Sequence, residues 1–141
     1  MSDKRKVLFV CTGNAGRSQM AEALSRTHYS DVIEPASAGV DPWPYLHPMA
    51  KKLMAERGDL LSGHYPKHVN TFREARLDVI VTIGDRAQNE LPGFVHEPER
   101  IHWDISDPAD ADGTAESEAT FRRALRDIES ELAAFVRERS T

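Results

Sequence analysis

Val7-Leu8-Phe9-Val10-Cys11-Thr12-Gly13-Asn14-Ala15-Gly16-Arg17-Ser18 joins an apolar, β-branched run to a short polar turn. The run stops at Cys11, the only cysteine of the chain; Arg17 and Ser18 follow the turn, and a helix-forming run from Gln19 to Leu24 follows them. Physically this is strand, tight loop, helix. Gly13, Asn14 and Gly16 are the residue types that adopt positive φ most readily, and all three are expected to fold the loop back with its N–H groups pointing inward. A ring of backbone donors closed by a helix N-terminus binds tetrahedral oxyanions. Arg17 adds a planar, permanently charged fork matched to two of the anion's oxygens. The oxyanion-binding set expected on this reading is Thr12, Gly13, Asn14, Ala15, Gly16, Arg17 and Ser18. The same field favours the thiolate of Cys11, which would lie beneath the anion's central atom, placed for in-line attack. A lone cysteine ending a strand is usually a small buried hydrophobe. The loop composition and the arginine favour a reactive thiol instead.

The 141 residues are the length of one ordinary domain, expected to span 1–141, with 40% hydrophobic and 29% charged residues. No apolar run approaches the ~20 residues of a membrane span. The start, Met1-Ser2-Asp3-Lys4-Arg5-Lys6, is basic, but the apolar Val7 to Val10 is too short for a signal sequence and is needed as a strand. A single cysteine permits no internal disulfide and fits a reducing cytoplasm, the expected location. A formal net charge of −5 argues against a nucleic-acid partner. An acidic protein that binds an anion must concentrate positive potential locally, as the Arg17 loop would.

Outward from the loop, Ser18 to about Tyr29 reads as a helix with Met20, Ala23 and Leu24 toward the sheet. Val32 to Gly39 reads as a short strand interrupted by Pro35, which suits a sheet edge. Pro48 opens a helix to about Arg57, with Met49, Leu53 and Met54 on its apolar face and Gly58 ending it. Leu60 to His68 is a connector, and a short helix is expected over Asn70 to Ala75. Leu77 to Ile83 is the strongest buried-strand signal. Gly84 to about Leu91 reads as a short helix, Glu99 to Trp103 as a fourth strand, and Asp104 to Gly113 as an acidic loop. Phe121, Leu125, Ile128, Leu132, Phe135 and Val136 recur at helical spacing, a long amphipathic C-terminal helix. Strands alternating with helices predict a three-layer α/β fold, a parallel sheet with helices on both faces. Ligands then bind beyond the carboxyl ends of the strands, where Cys11 sits.

The string Cys11-Thr12-Gly13-Asn14 followed by Arg17-Ser18-Gln19-Met20-Ala21-Glu22 resembles the phosphate loop of the low-molecular-weight protein tyrosine phosphatase superfamily, and most closely its arsenate reductase branch. The resemblance implies a four-stranded parallel sheet. It also implies that Asp107, before Pro108 in the loop after the last strand, protonates the leaving group, beside Cys11 as nucleophile and Arg17. Ser37, in Ser37-Ala38-Gly39, and His64 match residues near the loop in that superfamily. In some arsenate reductases the position matching Lys67 is acidic and belongs to a potassium site, with residues matching Asn14, Glu22 and Ser37. Here Lys67 is expected to replace that cation and pair with Glu22. His64 and His68 stand four apart without an accompanying ligand set, and no metal site is expected.

The resemblance also has a gap. The resolving cysteines of thioredoxin-coupled arsenate reductases fall at Gly84 and Leu91, and the loop's second cysteine at Gly16, so an internal disulfide relay is excluded. Arsenate reduction would need an external thiol of glutathione or mycothiol type and a glutaredoxin- or mycoredoxin-type redoxin, with no bound cofactor. The alternative is hydrolysis of phosphotyrosine or another phosphomonoester through a phosphocysteine. Against that, Ala109 follows Asp107-Pro108 where the phosphatases usually carry an aromatic; Trp43 and Tyr45 either line the mouth instead or pack within their loop. A third possibility is a non-catalytic oxyanion sensor or partner-binding module.

Overall fold

The computed structural model describes residues 4–59 and 61–139; Met1 to Asp3, Leu60 of the expected connector, Ser140 and Thr141 lie outside them. The elements are β1 (Arg5–Cys11), α1 (Arg17–His28), β2 (Ile33–Gly39), α2 (Pro48–Glu56), β3 (Val79–Ile83), α3 (Asp85–Glu90), β4 (Glu99–Trp103) and α4 (Ser117–Arg139), with 3-10 turns at Val69–Phe72 and Pro108–Ala111.

All strand pairs are parallel, in the order β2-β1-β3-β4. Period-two alternation divides the sheet's side chains between two cores. Val7, Phe9 and Cys11 of β1, with Val79, Val81 and Ile83 of β3, face α1, α2 and α4. Leu8, Val10 and Ile80 face the other way, against Val69, Ala87 of α3 and Phe94. Both faces are covered, so β1 and β3 read as unbroken apolar runs. Fully burying a side chain such as Phe9 or Ile80 contributes about 1.5–3 kcal/mol. Phe121, Leu125, Ile128, Leu132 and Phe135 form the buried stripe of α4, as their spacing predicts.

Pro35 lies in β2, an edge strand, where its missing N–H costs no ladder bond. The helix expected over Asn70 to Ala75 is instead the 3-10 turn Val69–Phe72. Its two apolar residues, Val69 and Phe72, are three apart and pack on one core, and three-residue spacing eclipses in a 3-10 turn.

The sheet order places β1 centrally, with its successor β2 on one side and β3 on the other. Cys11 ends β1 at this switch point, the crevice where open α/β sheets hold ligands.

Candidate active site

The loop between Cys11 and α1 is shaped by where its carbonyls go. The N–H groups of Val40, Asp41, Trp43 and His47 donate to the carbonyls of Cys11, Thr12, Gly13 and Ala15 at 3.2, 2.9, 2.9 and 2.9 Å. Gln19 Nε2 donates to the Asn14 carbonyl at 3.1 Å, and Met20 N to that of Gly16 at 2.9 Å. Every carbonyl from Cys11 to Gly16 is thus engaged. In a trans peptide the N–H points opposite to the C=O, so the loop's donors turn toward the cleft.

Positive φ occurs at one loop residue, Asn14 (φ 51), and not at Gly13 or Gly16 as expected from their types. Those glycines are there for space. A Cβ on Gly13 would lie 2.7 Å from Trp43 Cδ1, and one on Gly16 3.3 Å from Phe121 Cε1. Gly39, at the end of β2, serves likewise: its Cβ would stand 2.6 Å from the Thr12 carbonyl.

Asn14 is fully buried, and side-chain bonds hold its left-handed backbone. Its Oδ1 accepts from Lys67 N at 2.9 Å and Gln19 Nε2 at 3.1 Å, while its Nδ2 donates to Ser18 Oγ at 2.7 Å. Ser18 Oγ stands 2.9 Å from Cys11 Sγ. With Asn14 donating to the oxygen, the serine's own proton is free for the sulfur. Asn14 N also donates to Sγ, at 3.3 Å. Two donors therefore face the sulfur.

Arg17 is buried, and its Nη1 donates to the carbonyls of Ile83 at 3.2 Å and Ile105 at 2.6 Å, at the ends of β3 and beyond β4. The fork left for an anion is Nε and Nη2. Nη2 lies 3.5 Å from Asp107 Oδ2. Asp107 Oδ1 accepts from Ala109 N at 3.0 Å, capping the turn that begins at Pro108. Cys11, Arg17 and Asp107 line one cleft with Trp43, His47, Ala109 and Phe121. Its inner volume is about 20 Å³, on the scale of a small ion or a water or two.

The supporting residues form one directional network. Arg26 Nη1 stands 3.1 Å from His64 Nε2, and His64 Nδ1 2.8 Å from Gln19 Oε1. Since arginine can only donate, His64 accepts at Nε2 and carries its proton on Nδ1. Burial, with Arg26 and Lys67 nearby, pushes His64 below its ordinary value against the pull of Glu22, in keeping with that neutral form. Ser37 Oγ donates to Glu22 Oε1 at 2.5 Å. The expected Lys67–Glu22 pair does not form. Glu22 is held by Arg26 Nη2 at 2.6 Å, one helical turn away. The Lys67 ammonium donates instead to the Tyr65 carbonyl at 2.9 Å and lies 4.8 Å over the Tyr65 ring. Burial pushes Lys67 below its ordinary value, with Glu22 opposing.

Of the two aromatics left open between the mouth and packing within their loop, Trp43 lines the cleft. Tyr45 packs edge-on against it and is exposed. Sequence reading missed the roles of Gln19, His47 and Phe121 here. The one available signal was for Gln19, within the loop-to-helix string. Among the described residues, Asp85, His102 and Asp104 could bring three ligand atoms within 4.8 Å of one another, but both carboxylates are exposed.

Gly84 is the strictest backbone position against Arg17. It has φ 90, and a Cβ there would land on Arg17 Nη1. Gly84→Ala is expected to destabilise the fold by about 1–3 kcal/mol through backbone strain and to lower activity by displacing the guanidinium. Gly58→Ala is the comparison, because Gly58 has φ 77 with nothing within 4 Å of a Cβ. It should lower the unfolding midpoint and leave turnover alone. Equal turnover in the two variants would contradict the Arg17 contact.

Comparison with known proteins places the chain that carries this cleft. The chain belongs to the low molecular weight phosphotyrosine protein phosphatase family, whose model matches residues 6–140. It lies on the arsenate reductase branch. The arsenate reductase of Halalkalibacterium halodurans is 34% identical over 134 residues, 94% of this chain and 96% of its own. A crystal structure of arsenate reductase from Archaeoglobus fulgidus has a TM-score of 0.73 and 35% identity, covering 92% of this chain and 98% of the other. A structure of an arsenate reductase in the phosphate-binding state has a TM-score of 0.79 and 27% identity, covering 96% and 99%. The protein is an enzyme of the arsenate reductase or phosphatase kind. No helix among the described residues is long and apolar enough to cross a membrane.

Proposed function

We propose that this enzyme reduces arsenate through a covalent adduct on Cys11 that an external thiol resolves. The observation that carries the proposal is the pairing of two donors on the Cys11 sulfur with a buried, tied arginine lining the same cleft, in a chain with no second cysteine. The near full-length similarity to arsenate reductases supports it.

Cys11 sulfur attacks arsenic, an As–O bond breaks, and Asp107 supplies the proton that lets the oxygen leave as water. Loop N–H groups and Arg17 stabilise charge on the remaining oxygens. A thiol of the glutathione or mycothiol class then attacks the Cys11 sulfur. The S–As bond breaks with its electron pair going to arsenic, so As(V) leaves as arsenite and Cys11 is left in a mixed disulfide. A redoxin or a second thiol, itself oxidised, regenerates the Cys11 thiol.

A second reading is favoured by the aromatic wall that Trp43, His47 and Phe121 build in the cleft that Ala109 also lines. Phosphomonoester hydrolysis uses the same first step on phosphorus, with a phenol as the leaving group and water cleaving the phosphocysteine. The deciding experiment measures arsenite formation with glutathione, mycothiol and candidate redoxins against cleavage of an aryl phosphate. Thiol-dependent arsenite with slow aryl phosphate cleavage establishes the reductase. Fast cleavage with no arsenite under any thiol assigns the chain to the phosphatases.

A further inference from the structure

His47 sits in the cleft wall, and the chemistry described so far gives it no task. Its Nδ1 accepts the N–H of Met49 at 3.0 Å, so the ring's proton lies on Nε2. Nε2 aims between the two carboxylate oxygens of Asp112, at 2.8 and 3.0 Å. The ring is buried, 4.4 Å from Phe121 and 5.3 Å from Trp43 by centroids. Its backbone N–H donates to the Ala15 carbonyl at 2.9 Å, inside the oxyanion loop.

Asp112 closes the 3-10 turn Pro108–Ala111, its N–H donating to the Ala109 carbonyl at 3.0 Å. Asp107 opens that turn. The segment from Asp107 to Asp112 is therefore tied down at both ends: by Arg17 and the Ala109 cap at the start, and by His47 at the finish. The turn lies in an otherwise irregular stretch between β4 and α4 and packs against α4 with Pro108 buried, while His47 is the side chain that ties its far end to the oxyanion loop. We infer that His47, as a neutral Nε2–H donor to Asp112, is a positioning residue that holds the Asp107 turn over Cys11, coupling the oxyanion loop to the acid. This rests on the reading of Asp107 as general acid.

The test exploits what an acid does and a scaffold does not. Phenyl phosphate needs a proton on its leaving group, and 2,4-dinitrophenyl phosphate does not. Phenol release is followed for both with enzyme in excess, so that one phosphocysteine-forming turnover suffices. Asp107→Asn is the reference and should lower the phenyl-to-dinitrophenyl rate ratio by about 10²–10⁴-fold. Asp112→Ala breaks the contact from the solvent side. His47→Phe keeps the ring stacking and removes the donor. Each should lower the same ratio by about 10- to 100-fold, the scale of a misplaced catalytic group. The double variant should be no worse than either single one. His47→Gln, which retains an N–H at similar reach, should restore part of the ratio. If both rates fall together in the His47 and Asp112 variants, or neither changes, the positioning role is wrong while the Asp107 reading stands. If Asp107→Asn leaves the ratio untouched, the general-acid reading fails and takes this inference with it.

Discussion

Cys11→Ser is expected to lower both arsenite formation and aryl phosphate cleavage by about 10⁴- to 10⁶-fold, the range seen when a nucleophile is removed. A serine hydroxyl is far less ionised than a thiol at neutral pH and is a weaker nucleophile even beside good donors. The change is nearly isosteric, and the oxygen keeps hydrogen bonding within reach of Ser18 Oγ and Asn14 N. The variant should therefore unfold at close to the parent temperature and still bind phosphate, since the loop N–H groups and Arg17 are untouched. Turnover of both substrates and phosphate titration by calorimetry check this. Retention of either activity would overturn the nucleophile assignment. Phosphate binding by the parent without turnover of anything would support the non-catalytic sensor.

Arg17→Lys carries the second large effect, and it differs in kind. Removing one preorganised donor from an oxyanion site costs about 10²–10³ in kcat, and a comparable loss is expected for each substrate. A lysine has one nitrogen in place of three. It cannot both present an Nε–Nη2 fork and satisfy the Ile83 and Ile105 carbonyls that Nη1 now bonds. A buried polar group left unpaired costs about 1–3 kcal/mol, so the unfolding midpoint should fall as well. Loss of activity with loss of stability distinguishes this variant from Cys11→Ser. Unchanged stability would mean that the two carbonyls find other partners and that Arg17 is not a structural tie between β3 and the acid loop.

The candidate-site residues that lie close together in the chain were the legible ones. Cys11, Asn14, Arg17 and Ser18 lie within one strand-loop-helix turn, so spacing alone brings them together. The parity of β1 sends Val7, Phe9 and Cys11 to one face and Leu8 and Val10 to the other. The alternation of apolar strands with amphipathic helices determined a parallel sheet covered on both sides, and Pro35 marked its edge. Asp107 was legible at one remove, as an acid placed just after the strand that ends on the Cys11 side.

Tertiary structure decided what joins segments remote in sequence. His47 and Asp112 are 65 positions apart; Arg17 reaches Ile83 over 66 and Ile105 over 88. Nothing in composition or periodicity pairs them, because such contacts depend on how far helices and loops lean over the sheet and on which rotamers the packing leaves. Glu22 and Lys67 show the same limit. The resemblance, with a lysine where some arsenate reductases carry an acid of a potassium site, implied a pair, but Arg26, one turn along the same helix, reaches Glu22 first. The glycines make the point through space. Residue type suggested turn flexibility at Gly13 and Gly16, whereas the fold demands only that no Cβ press against Trp43 or Phe121, side chains brought there from other elements. Periodicity along a chain encodes which face a residue takes, and only the packed molecule settles what that face meets.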